Sequence, residues 1–437
     1  MSEKTILIIG TYDTKDEELG FLSGVIRDQG GRVVTMDVSV LGSPSQPTDY
    51  SKHDVAEEGG SPIQDAIDSG NENLAMQIMA KGASLLAARL HNEGKFDGMI
   101  VLGGTMGTDL ALDVASALPI GVPKYIVSTV SFSPLIPAER LAADTQMILW
   151  AGGLYGLNSV GKASLSQAAG AVLGAARAVQ KPDPEKSVIG MMSLGTSALK
   201  YVISLKPALE ERGFEVAVFH ATGMGGRAFE SLARQGAFAC VFDFCTQELG
   251  NHVNGSNISA GGDRLTNAGA NGTPQIVAPG CYDLVDVVGW QPIDSKWDAH
   301  MKHAHNRLLT SIVLKAEETK LVARAHCEQM AKAKGPTALI LPEDGLGEWD
   351  REGADLHNPD GLAAFLAEIE ANIPANVTTH RIACHINDPS FADKALEIFD
   401  KWRADGIVHL GGGKQLGNGQ DKSLHAIENY KQENGVD

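Results

Sequence analysis

The sequence predicts an α/β protein of two Rossmann-like subdomains with mostly parallel sheets and an interdomain cleft. Three observations carry this expectation. Strand-like apolar runs alternate with helical patterns along the whole chain. Two of those runs pass directly into glycine-rich turns, as strands do when a helix follows. The length, 437 residues, exceeds what one ordinary core organises. The polar segment Gln180-Lys181-Pro182-Asp183-Pro184-Glu185-Lys186 reads as the linker. Residues 1–180 then form an N-terminal nucleotide-binding subdomain, and residues 187–437 a C-terminal subdomain with substrate- or partner-facing loops.

In the first half, strands are expected near 5–9, 33–38, 98–102, 124–128 and 146–150, and helices near 15–29, 54–59, 71–93, 108–117 and 162–179. Thr5-Ile6-Leu7-Ile8-Ile9 and Met99-Ile100-Val101-Leu102 are uninterrupted apolar runs, suited to interior strands buried on both faces. The helix near 162–179 is rich in alanine and glycine, which permits close packing inside the subdomain or across a homodimer contact. In the second half, strands are expected near 187–194, 215–219, 239–244, 275–278, 337–341, 379–386 and 406–409, with a long helix near 307–333. The tail from Lys414 is polar and offers little to a core.

Composition narrows the function. A net charge of −18, from 54 acidic and 36 basic residues, argues against a nucleic-acid surface. Cys240, Cys245, Cys281, Cys327 and Cys384 are an odd set without Cys-x-x-Cys spacing, as expected of reduced thiols in a cytoplasmic protein. No apolar run is long enough to span a membrane, and Met1-Ser2-Glu3-Lys4 does not open a signal peptide.

Gly10-Thr11-Tyr12-Asp13-Thr14-Lys15 and Gly103-Gly104-Thr105-Met106-Gly107-Thr108 are the two strand-to-helix turns. Helices opening there would aim unpaired N–H groups at an anion above the strand ends. Without a Walker lysine, a phosphate would rest on backbone amides and the hydroxyls of Thr105 and Thr108, with Lys15 supplying positive charge. Asp13 would reach a metal or ribose, unless Asp13 or Thr14 only caps the helix. Gly156-Leu157-Asn158-Ser159-Val160-Gly161-Lys162-Ala163 has P-loop spacing up to its lysine, but Ala163 stands where a hydroxyl must meet magnesium, so the match is rejected. Gly223-Met224-Gly225-Gly226-Arg227-Ala228 fits Gly-x-Gly-x-x-Ala, with Asp243 twenty residues beyond Gly223. It follows the second strand of its half, where a dinucleotide fingerprint does not normally lie. A ligand-facing loop in which His220 and Arg227 meet an anion is preferred, and an NAD-dependent enzyme is the weaker alternative. Asp243 with Glu248, and His385 with Asp388, also stand at expected strand ends. His300, His303 and His305 cluster without standard zinc spacing, and read as solvated or capping residues before they read as ligands.

These stretches, with Asp37-Val38-Ser39, Pro119-Ile120-Gly121-Val122-Pro123-Lys124, Ser128-Thr129-Val130, Gly156 to Val160, Phe219 to Ala228, His305-Asn306 and His385-Ile386-Asn387-Asp388, resemble one family across nearly the whole chain. It is the ATP-binding domain family of the plant tobamovirus-resistance protein and its bacterial relatives. The resemblance implies ATP bound with magnesium chiefly by the N-terminal subdomain, and a homodimer. The sequence departs from the plant pattern at Met106, at Trp150-Ala151-Gly152-Gly153 and at Asn358 before Pro359. Gly161-Lys162 is not a family feature, and the further C-terminal barrel of plant members is expected to come from a separate protein here.

The expected nucleotide residues are therefore Gly10, Thr11, Asp13, Thr14, Lys15, Asp37, Gly103, Gly104, Thr105, Met106, Gly107, Thr108, Ser128 and Thr129. The expected residues for chemistry on a small anionic metabolite are His220, Arg227, Asp243, Glu248, His385 and Asp388, with metal ligands unassigned. Phosphoryl or nucleotidyl transfer needs positioning and charge neutralisation more than a special nucleophile. The alternative is a non-catalytic module whose ATP-ordered form is read by a protein partner.

Overall fold

The computed structural model describes residues 3–150, 152–183 and 185–412. The expected polar tail from Lys414 lies outside them. The described chain falls into two compact units divided between Pro182 and Asp183.

The first unit runs β1 (Thr5–Gly10), α1 (Asp16–Asp28), β2 (Arg32–Asp37), α2 (Lys52–Glu58), α3 (Ile63–Asp68), α4 (Glu72–Asn92), β3 (Gly98–Gly103), α5 (Thr105–Ala117), β4 (Lys124–Ser128), β5 (Thr145–Leu149) and α6 (Ser159–Ala178). Its five strands are all parallel in the order β2-β1-β3-β4-β5. Successive side chains point to opposite faces of a strand. Leu7, Ile9, Val101 and Ile126 accordingly pack with Met79, Leu86, Leu110 and Val114, while Ile6, Ile8, Ile100 and Leu102 pack with Leu19, Leu22, Leu165 and Val172 on the other face. The small residues Ala168, Ala169 and Ala176 of α6 belong to this second cluster, so that part of the helix packs internally. Winding reverses between β1 and β3, where a doubly wound sheet opens a crevice above its strand ends.

The second unit runs β6 (Val188–Ser193), α7 (Lys200–Glu211), β7 (Glu215–His220), α8 (Met224–Arg234), β8 (Phe238–Asp243), α9 (Gln247–Val253), α10 (Asn267–Ala270), β9 (Gln275–Val277), β10 (Leu284–Val288), β11 (Lys302–Ala304), β12 (Leu309–Val313), α11 (Ala316–Ala331), β13 (Thr337–Pro342), α12 (Pro359–Asn372), β14 (Val377–Ile382) and α13 (Pro389–Ala404). Its main sheet, all parallel, has the order β14-β13-β9-β8-β6-β7, with the reversal between β6 and β8. A separate antiparallel sheet has the order β10-β12-β11.

Two expectations are corrected here. The helix expected near 307–333 begins only at Ala316, because Leu309-Thr310-Ser311-Ile312-Val313 is rich in β-branched residues and pairs with β10. Residues 406–409 are not a strand. Gly406, at φ +73°, ends α13, and the amides of Ile407 and Val408 fold back onto the Trp402 carbonyl.

Candidate functional site

Gly103 and Gly104 join β3 to α5 at the reversal of the first sheet. Gly104 is the N-cap of α5, with φ −77° and ψ −151°, and no side chain caps the helix. Thr108 N–H closes the first turn onto the Gly104 carbonyl at 2.8 Å. The preceding amides of Thr105, Met106 and Gly107 donate to no described acceptor. Thr105 and Met106 are exposed, so these donors face outward. The two glycines differ in what they require. A Cβ on Gly103 would lie 2.6 Å from the Gly107 Cα, whereas one on Gly104 would find only the Thr129 hydroxyl, at 3.8 Å. Gly104 is also outside the left-handed region, so neither packing nor backbone conformation demands glycine there.

The surrounding hydroxyls and charges have distinct places. Buried Thr108 donates to the Gly104 carbonyl at 2.7 Å and shares a 2.6 Å hydrogen bond with Ser128, which accepts from Val130 N–H at 3.0 Å. These two residues brace α5 against β4, leaving Thr105 and Thr129 as the accessible hydroxyls of the turn. In the β1 turn, buried Asp37 accepts from the amides of Tyr12 at 3.2 Å and Ser39 at 2.9 Å. Asp13 accepts from Gly42 N–H at 3.1 Å, and the Thr11 and Thr14 hydroxyls bond each other at 2.9 Å. Lys15 has its ammonium 3.4 Å from the Thr14 hydroxyl. Gly10 packs on Leu19, whose Cδ1 would meet its Cβ at 2.8 Å. The first turn of α1 carries Asp16, Glu17 and Glu18, while that of α5 carries no acid. An anion is therefore favoured at α5 and opposed at α1.

The second unit engages its expected chemical residues internally. Arg264, fully buried, holds both oxygens of Asp243, with Nη2–Oδ1 at 2.7 Å, and also reaches Glu248 at 3.0 Å and Glu230 at 3.2 Å. Burial pushes Glu248 up to about 7, against the pull of Arg264. Arg227 forks onto Asp263 at 2.6 and 3.1 Å. His385 is 1% exposed. Its Nδ1 accepts from Asn387 N–H at 3.1 Å, and its Nε2 donates to the Gly347 carbonyl at 3.0 Å and Asp350 at 3.2 Å. Asp388 takes the His385 amide and Arg351, each at 2.9 Å. His220 is exposed at the end of β7 and accepts from Gly195 N–H at 3.3 Å. Asp263 and Arg264 are the partners that sequence reasoning missed. Their only signal is a charged pair after Gly261-Gly262.

The same network occupies the glycine-rich turn that the dinucleotide alternative would use. Glu248 Oε1 accepts from the amides of Gly223 at 2.6 Å and Gly226 at 3.0 Å, which puts an internal carboxylate at the opening of α8 where a pyrophosphate would sit. A Cβ on Gly225 would lie 1.8 Å from the His220 carbonyl oxygen, so that glycine serves packing. In the rejected P-loop segment, Asn158 Oδ1 accepts from Gly161 N–H at 2.9 Å, and exposed Lys162 lies 5.8 Å over the Phe21 ring. Among the described residues no three His, Cys, Asp or Glu side chains are grouped to hold a metal, and no helix is long and apolar enough to cross a membrane.

The N-terminal domain of the uncharacterised protein family UPF0261 matches residues 4–181, and the C-terminal domain of that family matches residues 186–403. A UPF0261 protein of Brucella melitensis is 52% identical over 93% of this chain and 97% of its own length. The ToMV resistance protein Tm-1(GCR237) of Solanum lycopersicum is 28% identical over 90% of this chain but 55% of its own length. A crystal structure of Acinetobacter baumannii MurG covers 98% of this chain and 99% of that one at 11% identity, with a TM-score of 0.19, a likeness too distant to carry an argument. With both domains matched in order along the chain, this protein belongs to the UPF0261 family.

Proposed function

We propose that the first unit binds ATP, its phosphates seated on the N-terminus of α5 at the β1/β3 reversal. The observation that carries this reading is Gly104: room for a Cβ is open there, and three adjacent amides lack described partners. Thr105 and Thr129 would add hydroxyl donors, and Lys15 would offset phosphate charge. Magnesium fits this donor set only as a shared ion, held by phosphate oxygens with one or two carboxylates such as Asp13. Bound there, it would neutralise phosphate charge.

An enzyme that uses ATP on a small anionic metabolite remains the first functional class. The protein's own part in it is to orient the phosphates and supply amide donors. The engagement of Asp243, Glu248 and Arg227 in buried ion pairs favours the second class, an ATP-dependent interaction module, because it withdraws three of the expected chemical groups. The exposed Phe132, Leu135 and Tyr155 of the first unit would suit a protein partner. Calorimetry with Mg-ATP on wild type and Gly104→Val tests the binding reading, and wild-type affinity in the variant overturns it. Metabolite-dependent ATP turnover separates enzyme from module.

A further inference from the structure

Phe132, on the turn that follows β4, holds a backbone conformation that folding alone does not explain. Ser133 N–H closes onto the Val130 carbonyl at 3.1 Å, which makes residues 130–133 a turn with Phe132 in its third position at φ +64°. Glycine or asparagine normally takes a left-handed third position, because a Cβ is crowded there. Among the described residues two other non-glycine residues have positive φ, Leu265 and Cys281, and both are buried, so packing holds them in place. Phe132 is 78% exposed. The other phenylalanines of the first unit, Phe21 and Phe96, pack on its two apolar clusters, and Phe132 belongs to neither.

The turn is braced, and it stands beside α5. Buried Ser131 donates to the Ile148 carbonyl at 3.2 Å, and Ser128 Oγ accepts from Val130 N–H at 3.0 Å. Thr129 N–H reaches the Gly103 carbonyl at 3.4 Å, and its hydroxyl is the group 3.8 Å from the Cβ position of Gly104. At about 3.8 Å per residue, the Phe132 Cα lies within about 11 Å of the Thr129 Cα, a reach that a nucleoside covers. β1 and β4 flank β3 in the sheet, and the two flanks differ in character. The β1 turn offers Thr11, Asp13, Thr14 and Lys15, whereas residues 128–137 carry no charged side chain and stand with exposed Met106 of α5.

We propose that Phe132 is the stacking platform for the base of a purine nucleotide, which rests on the reading of α5 as the phosphate seat. A nucleotide has one anionic end and one flat, uncharged end. With the phosphates on the α5 amides and toward Lys15, the base falls on the β4 side, where a ring already held in place loses little freedom when it stacks. Stacking reads a π face instead of a hydrogen-bond pattern, so adenine and guanine are both accepted. Leu135 and Tyr155 are left for a protein partner.

The test compares Mg-ATP, Mg-GTP and Mg-tripolyphosphate, the last a phosphate chain without sugar or base, by calorimetry on wild type, Phe132→Ala, Phe132→Gly and Phe132→Trp. Wild type should bind both nucleotides more tightly than tripolyphosphate. Phe132→Ala and Phe132→Gly should each weaken both nucleotides about fivefold or more and leave tripolyphosphate unchanged, while Phe132→Trp stays within about twofold of wild type. In urea unfolding Phe132→Gly should be at least as stable as wild type, because it relieves the left-handed strain; a ring kept for folding would give the reverse. Wild-type nucleotide affinity in Phe132→Ala, or an equal loss of tripolyphosphate, overturns the platform, leaves the α5 site standing and returns the ring to the partner surface. Failure of wild type to bind ATP and tripolyphosphate alike overturns the α5 reading and this inference with it.

Discussion

Glu248 lies so close to Gly226 that a Cβ on the glycine would come 1.8 Å from its Oε2. The carboxylate is pinned there by Arg264 and by two amides at the start of α8, so it cannot swing away cheaply. Gly226→Ala should therefore break a buried charge network and destabilise the second unit by about 3–5 kcal/mol, measured by urea denaturation. NAD should show no saturable binding to wild type in calorimetry.

Buried Asp283 yields a pH prediction. Burial and the neighbouring Asp350 push its carboxyl up to about 8, and burial pushes Glu248 up to about 7. Each group binds its proton more tightly folded than unfolded. Their stabilisation is full below the ordinary carboxylate range and is lost as pH rises through 7 and 8. His326, lowered to about 4 by burial, acts oppositely, but only below its unfolded value near 6.5. Denaturation between pH 6.5 and 8.5 should thus show stability falling with pH, and Asp283→Asn should flatten that slope.

The two sheets were legible because strands buried on both faces leave uninterrupted apolar runs, and Gly10 and Gly103 mark where two of them end. The β12 segment also satisfies helical spacing, through Leu308, Leu309, Ile312, Val313 and Leu314, and only pairing with β10 decides between the two periods. The partners of Arg264 were illegible for another reason. An ion network joining residues 230, 243, 248 and 264 depends on tertiary approach and leaves no local period. Strand-end position draws attention to Asp243 and, just beyond it in α9, Glu248, but it does not distinguish a group aimed at a ligand from one aimed at a buried arginine.

Asn158 and Lys162 separate a capping motif from a phosphate loop. Asn158→Ala should cost about 1 kcal/mol in thermal or urea unfolding, since it removes the acceptor for Gly161 N–H. Lys162→Ala, at an exposed position, should stay within about 0.5 kcal/mol of wild type and leave Mg-ATP affinity unchanged. A large loss of affinity there would restore the P-loop reading.

Gly103 and Gly104 offer the sharpest test of the proposed nucleotide site, because they are adjacent and only one is held by packing. Gly103→Ala would press a methyl to 2.6 Å from the Gly107 Cα, backbone that cannot rotate away, and should destabilise the first unit by about 1–3 kcal/mol. Gly104→Ala meets only the Thr129 hydroxyl at 3.8 Å and should leave stability within about 0.5 kcal/mol of wild type. If a phosphate rests against that backbone, the same methyl, and more so the branched side chain of Gly104→Val, stands where the ligand approaches, and Mg-ATP affinity should fall about tenfold or more. Unfolding and calorimetry on the same preparations separate the two effects: a stable Gly104→Ala that has lost ATP places the ligand at α5, whereas a stable variant with wild-type affinity removes the ligand from this turn.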